Sequence, residues 1–262
     1  MQQLQKEIMN AYQDVYENFI NSKISAWFEK EAGHFTGMCG KQYHAQSFKL
    51  MVVGRAAYGW GQLNTQNRED FAKEAYAKMS REHIEDNMLP KMRSKFWKSV
   101  HLVWETMSKQ QITNQTDMVA NYIAWSNLYK IAPNNGRNKN PNKLQRVTQI
   151  ESAKKILQAE ISFFKPTHIL FITEICTKKQ EEKGWWSWVE PFIKGETLTD
   201  QKKMNGFLDI QNIPGDIIRG KGLYGAGDKI KIVIVTRPDC PYSDKEYQLK
   251  WVRGVTTSFY NL

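Results

Sequence analysis

The run Lys49-Leu50-Met51-Val52-Val53 stops at Gly54 and turns into Arg55-Ala56-Ala57-Tyr58-Gly59-Trp60-Gly61. Tyr58 and Trp60, each flanked by glycine, offer flat faces on which another ring can stack. A second group, Asn127 with Lys130, Asn134, Asn135, Arg137, Asn138 and Lys139, sets an amide beside a rim of cations. A third, Arg237, Asp239, Tyr242 and Ser243, follows an apolar run that ends at Thr236. Aromatic face, amide and cations together suit a nucleobase attached to a phosphate backbone. Stacking holds the ring, the amide makes two hydrogen bonds to its edge, and the cations hold the phosphates. One thing is missing from the first loop: from Gly54 to Gly61 there is no Asp, Glu, His, Ser, Thr or Cys to carry out a reaction.

These groups meet only if the elements before them deliver them to one place. Phe48 to Val53, Tyr122 to Leu128, Thr167 to Thr173 and Lys229 to Thr236 are short apolar runs bounded by turn residues, the pattern of strands buried on both faces. Helical spacing links them: apolar residues at Phe96, Trp97, Val100, Val103 and Trp104 within Ser94 to Met107, a helix from near Pro141 to Phe164 ended by Pro166, and a closing helix from about Ser243 to Phe259. Ser243 with Glu246 has the form of a capping box. Strand, helix and strand in alternation predict parallel pairing through right-handed crossovers. The fold class expected is therefore α/β, a three-layer α/β/α sandwich on a central, mostly parallel sheet whose carboxyl ends hold the loops. We expect one domain over 1–262, with an N-terminal helical extension over about 1–47 and an insertion over about 175–206.

Composition narrows the partners. A formal charge of +10 favours polyanions such as nucleic acid, because Lys and Arg displace counterions from phosphates. Hydrophobic residues make up 41%, enough for a sizeable core. No apolar run approaches the roughly 20 residues that span a bilayer, and the polar start is unlike a signal peptide, so no membrane partner and a cytoplasmic location are expected. Cys39, Cys176 and Cys240 are scattered and odd in number, which argues against a disulfide framework. His34, Cys39 and His44 match no zinc spacing, so no metal is assigned. Gly220-x-Gly222-x-x-Gly225 and Gly215-x-x-x-x-Gly220-Lys221 imitate nucleotide-binding loops, but each would need a strand before it and a helix after it. They are read as a flexible basic loop.

With these residues in hand, the chain resembles the uracil-DNA glycosylase superfamily over roughly residues 48–247. The motifs that carry the likeness are Val52-Val53-Gly54-Arg55-Ala56-Ala57-Tyr58-Gly59, in the place of the water-activating loop, and Trp125-Ser126-Asn127-Leu128-Tyr129-Lys130 with Pro133, Asn138 and Asn140-Pro141, similar to the asparagine-bearing strand and its loop. Ile161 to Thr173 resembles the family's helix, Lys-Pro corner and third strand, and Ile232 to Pro238 stands where the family ends a strand in His-Pro. The resemblance implies a base-binding pocket of Gly54, Arg55, Ala56, Tyr58, Trp60 and Asn127, and backbone contacts from Lys130, Arg137, Lys139 and Ser243. It implies no cofactor, since the four cysteine ligands of iron–sulfur members are not present.

The chain departs from the family where the chemistry sits. Alanines occupy the positions of the water-positioning residue, and Arg237 stands in place of the histidine. Hydrolysing an N-glycosidic bond needs stabilisation of an oxocarbenium-like sugar and of an anionic leaving base. Arg237 is the candidate for the second need and Glu174, or Asp239, for the first. Plainer roles compete: a solvated helix start for Glu174, a turn cap for Asp239, a backbone clamp for Asn127, core packing for Tyr58 and Trp60, a carboxylate partner for Arg237. Three functions follow: a base hydrolase acting through relocated residues, a catalytically inactive nucleic-acid or nucleotide binding module, or a protein-interaction domain using surface tryptophans around Trp185, Trp186 and Trp188.

Overall fold

The four apolar runs form the parallel centre of a six-stranded sheet. In the computed structural model, which describes residues 2–56, 67–80, 94–111, 119–133, 140–174, 188–189, 192, 217–224, 229–238 and 244–262, the chain begins with helices α1 (Gln2–Ile20) and α2 (Ser25–Glu31). Short strands β1 (Ala32–His34) and β2 (Met38–Cys39) precede β3 (Leu50–Ala56), α3 (Arg68–Ser80) and α4 (Lys95–Ser108). Then come β4 (Ile123–Tyr129), β5 (Ile131–Pro133), α5 (Lys143–Phe164), β6 (His168–Glu174), β7 (Ile218–Tyr224), β8 (Ile230–Thr236) and α6 (Lys245–Tyr260). The sheet order is β2-β4-β3-β6-β8-β7. β4, β3, β6 and β8 run parallel, while β2 and β7 pair antiparallel at the two edges.

Alternation along the strands explains the layers. Met51, Val53, Ala124, Leu128, Ile169, Phe171, Ile232 and Ile234 pack with Tyr12, Val15 and Phe19 of α1, Phe71 of α3 and Ile156 and Leu157 of α5. Their neighbours Leu50, Val52, Ile123, Trp125, Leu170, Ile172, Val233 and Val235 pack with Val100, Val103 and Trp104 of α4 and Trp251, Val255 and Phe259 of α6. A side-chain period of two sends alternate residues to opposite faces, so strands apolar at every position need a helical layer on each side. The result is a three-layer α/β/α sandwich. No described helix is long and apolar enough to cross a membrane.

The first 47 residues do more than add helices. β1 pairs with β5, β2 pairs with β4, and α1 lies against both α3 and α5. Two other sequence expectations are corrected. The glycine-rich stretch around Gly220 and Gly222 is no flexible loop but strand β7, registered from Ile218 opposite Val235 to Tyr224 opposite Ile230. The closing helix is capped one residue later than expected: Asp244 accepts from the Tyr247 amide at 2.7 Å, which leaves Glu246 at the wrong position for a capping box with Ser243.

Helix α5 is the best-defined start in the fold. Asn142 caps it by accepting from the Gln145 amide at 2.9 Å while Gln145 accepts from the Asn142 amide at 2.8 Å. It stops where Lys165 adopts a left-handed conformation (φ 50°) just before Pro166.

Candidate functional site at the carboxyl edge of the sheet

The chain leaves β3 for β4 on one side, then crosses back past β3 to reach β6 on the other. Connections from β3 and β6 thus depart in opposite directions, which makes their carboxyl ends a topological switch point. The strands part there: β3 stays registered with β4 as far as Ala56 opposite Tyr129, but with β6 only to Val53 opposite Phe171. Side chains fill the gap differently on the two faces.

On the face toward α4 and α6 lies Asn127, continuing the alternation of Ile123 and Trp125. Its amide rests against Gly54, so closely that a methyl group at residue 54 would overlap Oδ1 well inside van der Waals contact. Glycine is therefore required for the approach. Asn127 is 3% exposed, and its Nδ2 has no hydrogen-bond partner. It is not clamping a strand end. A buried amide N–H left unpaired is costly, which marks a place where an acceptor belongs. Ala56 packs at the end of β3, and Arg237 is half-buried just past β8.

On the face toward α5 the arrangement is dense and charged. Arg55 donates from Nε to the Thr173 carbonyl and from Nη2 to the Glu174 carbonyl, the latter at 2.6 Å, bridging the gap where β3 and β6 separate. The bulge in β6 between Ile172 and Glu174 turns Glu174 inward. Its Oε1 accepts from the Thr173 hydroxyl at 3.0 Å and the Val189 amide at 3.3 Å, and the residue is 7% exposed. The Trp188 ring carries the Cζ atoms of Arg146 at 4.7 Å and Arg55 at 5.4 Å from its centroid. Tyr129 meets Trp188 and Phe192 edge-on, at 5.8 and 5.3 Å between centroids. Burial is the main reason its phenol is pushed up to about 12; Arg146 pulls it down and Glu174 adds to the rise.

The sequence-predicted residues thus divide. Gly54 and Asn127 are brought together. Arg55 is half-buried at the same edge, but its guanidinium is tied to strand carbonyls, and Glu174 sits in the protein rather than at a solvated helix start, on the face away from Asn127. Lys130 requires a correction: it does not reach a phosphate-contacting rim. It shares the alternation of Ser126 and Leu128, which aims it at α5, and it is 0% exposed. Its Nζ donates to Glu160 Oε2 at 2.7 Å and Ser126 Oγ at 2.6 Å, while the Gly37 amide donates to Glu160 Oε1 at 2.9 Å. Burial pushes the Lys130 ammonium below its usual range and the Glu160 charge opposes that push.

Trp188 also departs from expectation, being 2% exposed and part of the core rather than a surface tryptophan. Tyr58, Trp60, Arg137, Lys139, Ser243, Asp239, Trp185 and Trp186 lie outside the described residues. Arg146 went unnoticed in the sequence because one arginine in a helix start resembles any solvated charge. Its signal was the absence of an acidic residue around it in the first turn of α5. Cys39 Sγ lies 3.6 Å from His44 Nε2, and among the described residues no three His, Cys, Asp or Glu side chains are grouped to hold a metal. No protein-family model matches the chain, and no curated protein matches it.

Proposed function

We propose that this chain is a divergent uracil-DNA glycosylase-like protein that recognises a nucleobase in nucleic acid, with Asn127 as the reader of the base edge. The observation that carries this is the buried Asn127 amide at the carboxyl edge of a parallel sheet, whose Oδ1 lies against Gly54 and whose Nδ2 is unpaired. Nδ2 donates to a base carbonyl and Oδ1 accepts from the neighbouring ring N–H, a pairing that uracil and hypoxanthine both present. The charge of +10 supplies the sequence-independent attraction.

Binding is favoured over hydrolysis. Glu174 has its Oε1 taken by Thr173 and Val189 on the opposite face, and Arg55 spends two donors on β6 carbonyls. The hydrolytic reading keeps Arg237, at the end of β8, as the cation for a departing base, with Glu174 as its carboxylate.

The test is incubation with oligonucleotides carrying uracil, hypoxanthine or an alkylated base, scoring abasic sites beside binding. We expect salt-sensitive binding, a base preference lost in Asn127→Ala, and little or no abasic product. Absence of binding even at low salt sinks the reading; abundant abasic sites that vanish in Glu174→Gln promote the hydrolase.

A further inference from the structure

We propose that the α5 face of the carboxyl edge is a phosphate-binding site built from Arg146, the N-terminal turn of α5 and the Trp188 indole. Its chemistry is that of a phosphate group. Assigning that group to the backbone of a strand whose base meets Asn127 rests on the base-recognition reading.

The guanidinium carbon Cζ of Arg146 lies over the Trp188 ring, 4.7 Å from its centroid, and among the described residues Arg146 has no ion-pair partner. The contact with the ring takes up no hydrogen bond, so the N–H donors of the group, which lie in its plane, stay available to grip phosphate oxygens two at a time. A side chain in a helix leans back over the preceding turn, so Arg146 overhangs the start of α5.

That start is itself built for an anion. Its first turn holds no acidic residue but does hold Lys143, and Arg146 follows, so the positive end of the helix dipole faces added positive charge. The capping box satisfies the Asn142 and Gln145 amides. Those of Lys143 and Leu144 have no protein partner among the described residues and remain available as donors.

Trp188 supplies an independent observation. The indole is 2% exposed and its Nε1 has no partner, an unusual state for a buried N–H. Arg55, pinned to the β6 carbonyls, holds a second guanidinium over the same ring at 5.4 Å. Glu174, whose charge Tyr129 also feels, has its Oε1 taken by the Thr173 hydroxyl and the Val189 amide. Tyr129, which touches Trp188, lies two residues past Asn127 at the carboxyl end of β4 and packs with the cluster on the α5 side, breaking the alternation that puts Asn127 on the other face. A base and a neighbouring phosphate can straddle the edge of the sheet there.

The experiment uses the full chain. Inorganic phosphate is titrated into protein labelled at its indole nitrogens, with Trp188→Phe identifying the resonance, and oligonucleotide binding is measured against salt in wild type, Arg146→Gln and Asn127→Ala. We expect phosphate to move the Trp188 N–H signal in wild type but not in Arg146→Gln. That variant should weaken every oligonucleotide alike and reduce the salt slope by about 0.7 to 0.9, one phosphate contact, while Asn127→Ala changes base preference only. If Arg146→Gln alters neither slope nor signal, the site is overturned even where Asn127→Ala abolishes base preference. If no oligonucleotide binds yet phosphate moves the signal in an Arg146-dependent way, the site stands for the phosphate of a small molecule and base recognition in nucleic acid falls.

Discussion

Strand β4 and the residue after it carry two kinds of buried polar side chain within five positions. Ser126 and Lys130 face α5 and are hydrogen-bonded there: the hydroxyl lies between Lys130 Nζ and Glu160 Oε2, both at 2.6 Å, and the ammonium reaches the same carboxylate. Asn127, one residue along and on the other face, is as well buried and leaves its Nδ2 unpaired. The difference separates polar groups that complete the fold from one whose donor the fold leaves unmatched. A satisfied network fixes its members relative to one another, whereas an unsatisfied amide is tolerated only where a ligand, water or function compensates.

The largest effect that can break this comparison lies in the satisfied network. Glu160→Leu strands the Lys130 ammonium in the core and should cost about 3–5 kcal/mol, read as a lower urea midpoint at unchanged slope. Lys130→Met paired with Glu160→Leu should recover most of that loss, because removing both charges leaves no uncompensated ion. A single variant that costs under about 1 kcal/mol would show that the pair is hydrated rather than sealed.

Next in size is Gly54→Ala. The added methyl collides with Asn127 Oδ1, so either the amide rotates away or β3 moves, at about 1–3 kcal/mol. Base preference should fall with stability. If both survive, Asn127 is not held where its role as a reader needs it.

His168 sharpens the comparison, since it is satisfied in one protonation state alone. Its Nδ1 lies 2.8 Å from the Thr167 hydroxyl, and the ring packs against Phe48 and Phe259. Burial, and then the Lys231 charge, hold the imidazole down at about 4. The unfolded side chain titrates near 6.5. Between those values the unfolded chain binds a proton that the folded chain refuses, so stability rises with pH through the window and is lost as pH falls from about 6.5 toward 4. Allowing for the partial exposure of the ring, the loss should be about 1–2 kcal/mol. His168→Phe should flatten that part of the stability profile; an unchanged slope would assign the acid sensitivity to other groups.

The strands were legible because continuous apolar runs such as Leu50 to Val53 have only one good environment, a sheet covered on both sides. Asn127 stands out because it interrupts such a run with an amide. Lys130 was misread since a lysine beside an Asn-rich loop looks solvated, and the carboxylate that neutralises it comes from the far end of a helix, 30 residues away. The period of two from Ser126 through Leu128 points Lys130 inward, which the sequence can support only if a carboxylate meets it there. Trp188 was misread for a related reason: a tryptophan cluster in a polar insertion has no local sign of the core that receives it. What sequence lacked in each case was a partner distant along the chain.

Asn127→Leu should have the smallest effect on stability and the most telling one. Leucine approximates the shape of the amide, and removing an unpaired Nδ2 removes its desolvation cost, so the change should lie within about 0.5 kcal/mol of wild type or be stabilising. The same variant deletes the donor and acceptor that the proposed function assigns to a base edge, and on that proposal should abolish discrimination between uracil-containing and ordinary oligonucleotides. A stability loss of about 2 kcal/mol would mean instead that the amide has a structural partner such as a bound water, as a buried network does. Asn127 would then belong with Ser126 and Lys130, and the contrast between the two faces of β4 would cease to mark a binding site.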